Sequence, residues 1–140
     1  MASSQALQKL KVLVYSDDRT VRRAVITALG THPVEGLPEL EFLEVATGPV
    51  VIRSADAGDL DLLILDGEAT PTGGLGLTRQ LKDEIYRCPP ILVLTGRPED
   101  AWLATWSRAD GVVGHPIDPG HLAQTVATLI RSSVAKARTA

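Results

Sequence analysis

The chain has 140 residues and a mass of 14.9 kDa, which suits one domain with its own core and is short for two. With 44% hydrophobic and 22% charged residues it is too apolar for a disordered chain, and its net charge of −3 argues against bulk electrostatic capture of nucleic acid. A single cysteine, Cys88, excludes an internal disulfide framework and a multi-cysteine zinc site.

Short apolar runs alternate with amphipathic stretches along the chain. Lys11–Tyr15 (KVLVY) reads as a strand, and the acids Asp17 and Asp18 behind it offer an N-cap. Val21, Ala24, Val25, Ala28 and Leu29 then fall on one face of a helix. Two prolines and a glycine make 31–38 a loop, a second strand covers Glu41–Ala46, and a short helix follows over Pro49–Ala55 with proline in its first turn. Asp61–Asp66 (DLLILD) is a continuous apolar run, the mark of a strand covered on both faces. A glycine-rich loop over Gly67–Gly76 leads into a helix marked by Leu77, Leu81 and Ile85.

Pro90–Thr95 (PILVLT) is another buried strand, with a short helix after it over Pro98–Arg108. Gly111–Gly114 is a fifth, shorter strand, and Leu122, Val126, Leu129 and Ile130 stripe a last helix. The expected core spans about residues 10–132, with frayed tails over 1–8 and 134–140 of a single domain.

No run approaches the ~18 apolar residues of a membrane helix, and residues 1–10 lack the apolar segment of a secretory signal. A cytoplasmic location follows by default. The absence of Asn, with abundant Arg, Ala and Gly, hints at a GC-rich bacterial genome.

The pattern is (βα)5: a five-stranded parallel sheet with helices on both faces, an α/β doubly wound fold. Ligand crevices in such sheets lie at the carboxyl ends of the strands. Those ends carry Ser16 and Asp17, Asp66, Thr95 and His115, separated by 49 residues from Asp17 to Asp66, 29 more to Thr95 and 20 more to His115.

These residues resemble the receiver domain of two-component response regulators, a flavodoxin-like or CheY-like fold with strand order 2-1-3-4-5. The resemblance covers nearly the whole chain. It rests on four motifs in the family's order: KVLVYSDDRTVRR, DLLILD, ILVLT and GVVGHPID. It implies that Asp66 is the phosphoacceptor, a carboxylate nucleophile toward a phosphohistidine or small phosphodonor. It further implies that Thr95 is the switch hydroxyl and that Mg²⁺ is held by Asp17, Asp66 and the Glu68 backbone, with Asp18 a further candidate. His115–Pro116 matches the family's Lys-Pro, whose peptide bond is cis.

Three departures argue for an atypical receiver. Ser16 stands at the first acidic position, which leaves a weak or absent Mg²⁺ site. His115 stands where the family has lysine, and no Lys occurs between Lys82 and Lys136; imidazole, ordinarily titrating near ~6.5, is a poor permanent cation. Val113 holds the aromatic switch position. The loop from Asp66 to Pro71 also differs from the family's, although Gly74 keeps its spacing.

Without sequence after the last helix for an output domain, the expectation is a stand-alone signalling module acting through protein contacts, with phosphorylation at Asp66 inefficient and no enzymatic activity beyond self-phosphoryl transfer. A histidine kinase is the implied donor. Direct DNA binding and membrane insertion are not expected, and a monomer or weak dimer is. Trp102 and Trp106, four apart on the fourth helix, read first as core packing; exposed, they would make this helix with the fifth strand and fifth helix the interaction face.

Two alternatives stand beside this. Asp66-Gly-Glu68-Ala-Thr70 superficially resembles the Asp-x-Asp-x-Thr motif of haloacid-dehalogenase-type phosphatases, but follows the third strand where theirs follows the first. A flavin or nucleotide binder is the other, against which two acids in the first βα loop repel phosphate. His32 and His121 read as surface residues, and Cys88 as an inert packed thiol.

Overall fold

The computed structural model describes residues 8–97 and 100–139. In chain order the elements are β1 (Leu10–Tyr15), α1 (Arg19–Leu29), β2 (Leu40–Val45), α2 (Gly48–Asp56), β3 (Leu62–Asp66), α3 (Gly74–Glu84), β4 (Ile91–Thr95), α4 (Ala101–Ser107), β5 (Gly111–Gly114) and α5 (Pro119–Thr139). The strands form one parallel sheet in the order β2-β1-β3-β4-β5, as expected.

Period-two alternation divides the core between the two faces of the sheet. Val12, Val14, Leu62, Ile64, Leu92, Leu94 and Val113 pack with Val25 and Leu29 of α1 and Leu122, Val126 and Ile130 of α5. Leu13, Tyr15, Leu63, Leu65, Ile91 and Val93 pack with Val51 of α2 and Leu77 and Leu81 of α3. Every residue of β3 and β4 is buried, which explains their unbroken apolar runs. At roughly 1.5–3 kcal/mol for each fully buried aliphatic side chain, these two strands anchor the fold.

Local signals set the boundaries. Asp18 caps α1, its Oδ1 accepting from Thr20 N at 2.8 Å, and Gly30 closes the helix with φ +61°. Pro49 opens α2. Pro98 and Glu99, where the sequence starts α4, lie outside the described residues. Residues 1–7 and 140, part of the expected frayed tails, lie outside them too. At the other end α5 runs to Thr139; the stretch Ala135-Lys-Ala-Arg138 is rich in strong helix formers. Among the described residues no helix is long and apolar enough to cross a membrane.

Candidate functional site

The strand register assembles the site. Tyr15 pairs with Leu65, so the next step sets Ser16 beside Asp66; Asp66 itself pairs with Leu94, and Thr95 with Gly114, the residue before His115. Four positions far apart in sequence thus meet at one edge of the sheet because parallel strands end together. Ser16, Asp66 and Thr95 are buried there.

Asp66 is held on both oxygens. Ser16 Oγ donates to Oδ2 at 2.8 Å, and the Glu68 backbone N–H donates to Oδ1 at 2.9 Å. His115 Nε2 lies 3.9 Å from Oδ1, beyond a hydrogen bond but close enough for an ion pair when the ring is protonated. The His115–Pro116 bond is cis, and His115 N donates to the Thr95 carbonyl at 2.9 Å. The Glu68 side chain folds over Gly96, where an added Cβ would collide with its carboxylate.

Asp17 points elsewhere. Its Oδ1 accepts from Thr70 N at 3.1 Å and its Oδ2 from Thr70 Oγ1 at 3.2 Å. Asp18, the further metal candidate, has Oδ1 engaged in the α1 cap, while its backbone N–H donates to Ser16 Oγ at 3.0 Å. Arg22 fixes the end of β1 from behind, with Nη1 to the Ser16 carbonyl at 2.7 Å and Nε to Glu44 Oε1 at 3.1 Å.

A Mg²⁺ ion here would draw on the carboxylates of Asp17 and Asp66 and the Glu68 backbone carbonyl. Each oxygen of Asp66 and Asp17 accepts one protein hydrogen bond, which leaves it one further lone pair, and the position before Asp17 offers a neutral hydroxyl where a carboxylate would add charge. Among the described residues no three His, Cys, Asp or Glu side chains converge on a common point.

Tyr15 escaped the sequence reading, and Thr70 entered it only as the end of the phosphatase-like motif. The buried Tyr15 phenol donates to the Thr72 carbonyl at 2.5 Å. Burial, then the nearby charges of Asp17 and Asp66, push the phenol above its ordinary value of 10.0. Tyr15 looks like a core residue of β1, and Thr70 like a loop residue; only the path of the loop joins them to the site.

The two tryptophans correct an expectation. A spacing of four on a short helix predicts core packing for the pair, but Trp102 is 66% and Trp106 47% exposed. The buried face of α4 is instead made by the small residues Ala104 and Ser107, so the large ones turn outward. Arg79 of α3 stacks 4.7 Å from the Trp106 ring centroid and donates to its carbonyl at 2.7 Å. His32 and His121 are exposed, as expected, and burial raises the Cys88 thiol above its ordinary 9.0.

No protein-family model matches the sequence. Over 123 residues, 88% of this chain and 92% of the relative, it is 59% identical to an uncharacterized response regulatory protein of Mycobacterium tuberculosis, with the same values in strains H37Rv and CDC 1551. The chain belongs to the response regulators. Its fold is that of their CheY-like receiver domain. It superposes on Vibrio cholerae CheY4 with a TM-score of 0.73 at 23% identity, covering 87% of this chain and 99% of that one. A CheY-like receiver domain protein of Methanospirillum hungatei gives 0.76 at 16% identity, covering 92% and 99%.

Proposed function

We propose that this receiver domain is an atypical one that works through protein contacts, with Asp66 a poor phosphoryl acceptor. The observation that carries the reading is the state of Asp66: both oxygens accept protein hydrogen bonds, one of them from Ser16 at a position where the family has an acid, and the imidazole of His115 lies 3.9 Å away at the family's lysine position.

Phosphorylation requires an Asp66 oxygen to attack the phosphorus of a phosphohistidine or acyl phosphate. The P–N or P–O bond breaks, and its electron pair leaves with the donor's imidazole or carboxylate. The nucleophilic oxygen must first give up a hydrogen bond. The three equatorial phosphoryl oxygens then need cationic partners, and this site offers the Thr95 hydroxyl and an imidazole 3.9 Å from Asp66. With Mg²⁺ weakly held or absent, transfer from a histidine kinase is slow. No activity beyond this self-phosphorylation is proposed.

The output is a protein partner on the α4-β5-α5 face, where Trp102 and Trp106 supply exposed aromatic surface of the kind that dominates binding energy. The domain acts in the cytoplasm as a monomer or weak dimer, without direct contact to DNA, in keeping with its net charge of −3.

Beryllofluoride, an acyl-phosphate mimic, tests the reading by NMR on the isotope-labelled chain. Unchanged amide resonances at Asp66, Thr95 and His115 with millimolar Mg²⁺ and beryllofluoride are expected. A saturating shift of all three contradicts it.

A further inference from the structure

Among the bonds around the site, the pair joining Thr70 to Asp17 serves no evident purpose in the fold. Both residues are exposed, yet Thr70 places its N–H against one carboxylate oxygen of Asp17 and its hydroxyl against the other, at 3.1 and 3.2 Å. One backbone and one side-chain donor therefore engage both carboxylate oxygens, leaving fewer lone pairs for a cation.

The rest of the β3–α3 loop is built to hold that arrangement. Ala69 N donates to the Asp66 carbonyl at 3.2 Å at its start, and Tyr15 OH donates to the Thr72 carbonyl at 2.5 Å near its end. Gly74 lies so close to β3 that an added Cβ would come 2.7 Å from the Asp66 carbonyl oxygen, and one added to Gly48 of α2 would meet the Thr72 side chain at 3.1 Å. Ala69, Thr72 and Gly74 are thereby held close to the ends of β1, β3 and α2, and among the described residues the hydrogen bonds of the exposed Thr70 go to Asp17.

We infer that Thr70 is an autoinhibitory latch: by engaging both oxygens of Asp17 it withholds that carboxylate from a divalent ion, and cation binding at this site requires the latch to open. The inference rests on the receiver reading of Asp17 and Asp66. It adds that the β3–α3 loop, in addition to Ser16, sets the cation affinity. A partner that draws Thr70 off Asp17 would raise that affinity, since a ligand shifts an equilibrium by its differential affinity for the two states.

The test is MgCl2 titration of the full chain by calorimetry and by amide NMR shifts, on wild type, Thr70→Val, Thr70→Ala, Thr70→Ser and Ser16→Asp. Valine preserves shape and the N–H but removes the hydroxyl; urea melts confirm folding of each variant. Removing a hydrogen bond to a charged group corresponds to a change of about tenfold, so T70V and T70A should bind Mg²⁺ about tenfold more tightly than wild type, with T70S unchanged. Wild-type affinity in both T70V and T70A overturns the latch. If S16D alone gains affinity, the latch fails while the receiver reading stands. Tight, saturable binding by the wild type overturns both.

Discussion

Ser16 donates its hydroxyl to Oδ2 of Asp66 at 2.8 Å, and both side chains are buried. The contact follows from register, because Tyr15 pairs with Leu65 and the residues one step on are neighbours. A hydroxyl satisfies a buried carboxylate where a second acid would repel it. The same substitution removes a carboxylate that a hard cation would use.

Replacing Ser16 with alanine leaves Oδ2 without its donor in a buried setting, a loss of about 1–3 kcal/mol that urea denaturation would register as a lower midpoint at unchanged slope. Ser16→Asp should melt below wild type in EDTA, through repulsion between neighbouring carboxylates, and recover when Mg²⁺ is added. A variant indifferent to Mg²⁺ would mean that the pair cannot converge on an ion.

Gly74→Ala and Gly76→Ala, two residues apart in α3, should act in opposite directions. An alanine Cβ at 74 would drive into the Asp66 carbonyl, whereas at 76 it meets open space. Overpacking against backbone costs about 1–3 kcal/mol, and removing glycine from a helix gains about 0.5–1 kcal/mol. Thermal melts should move down for the first and up for the second.

Alkaline pH should weaken the fold through two weak acids, the buried Tyr15 and the half-buried Cys88. Burial, then Asp17 and Asp66, raise the Tyr15 phenol above 10.0, and burial raises the Cys88 thiol above 9.0. In both cases the folded state keeps its proton longer than the unfolded chain. The stability they contribute is complete below the unfolded values and is lost as pH rises through the raised ones. Urea midpoints should fall from about pH 9 upward. Phenolate absorbance should resolve Tyr15 from the 87% exposed Tyr86, and Asp66→Asn should bring the Tyr15 titration down by removing a neighbouring charge.

Trp102→Ala should change stability by less than about 0.5 kcal/mol, as for most surface substitutions. Trp106→Ala should lose about 0.5–1 kcal/mol more with its Arg79 stack. Chemical denaturation separates the two. A large loss from Trp102→Ala would show that the ring packs in solution and would remove it from the interaction face.

The sheet was legible because its strands are unbroken apolar runs that end in polar residues, and Asp66, Thr95 and His115 are the last residues of such runs or follow them directly. Register was not legible, so Ser16 could be recognised as a missing acid but not as the donor to Asp66. The Thr70–Asp17 and Tyr15–Thr72 bonds depend on the path of a glycine-rich loop, which periodicity cannot trace. The tryptophans misled for a different reason: spacing of four defines a helix face without saying which way it turns. On α4 the small residues Ala104 and Ser107 take the buried side.

The most direct measurement is intact mass over time with acetyl phosphate and Mg²⁺, on wild type, Asp66→Asn and the double variant Ser16→Asp/His115→Lys. Little or no phosphoryl increment on wild type, none on Asp66→Asn, and a clear increment on the double variant are expected. Rapid, stoichiometric phosphorylation of the wild type, lost in Asp66→Asn, would contradict the account: the Ser16–Asp66 bond and His115 would then be no barrier to a working switch.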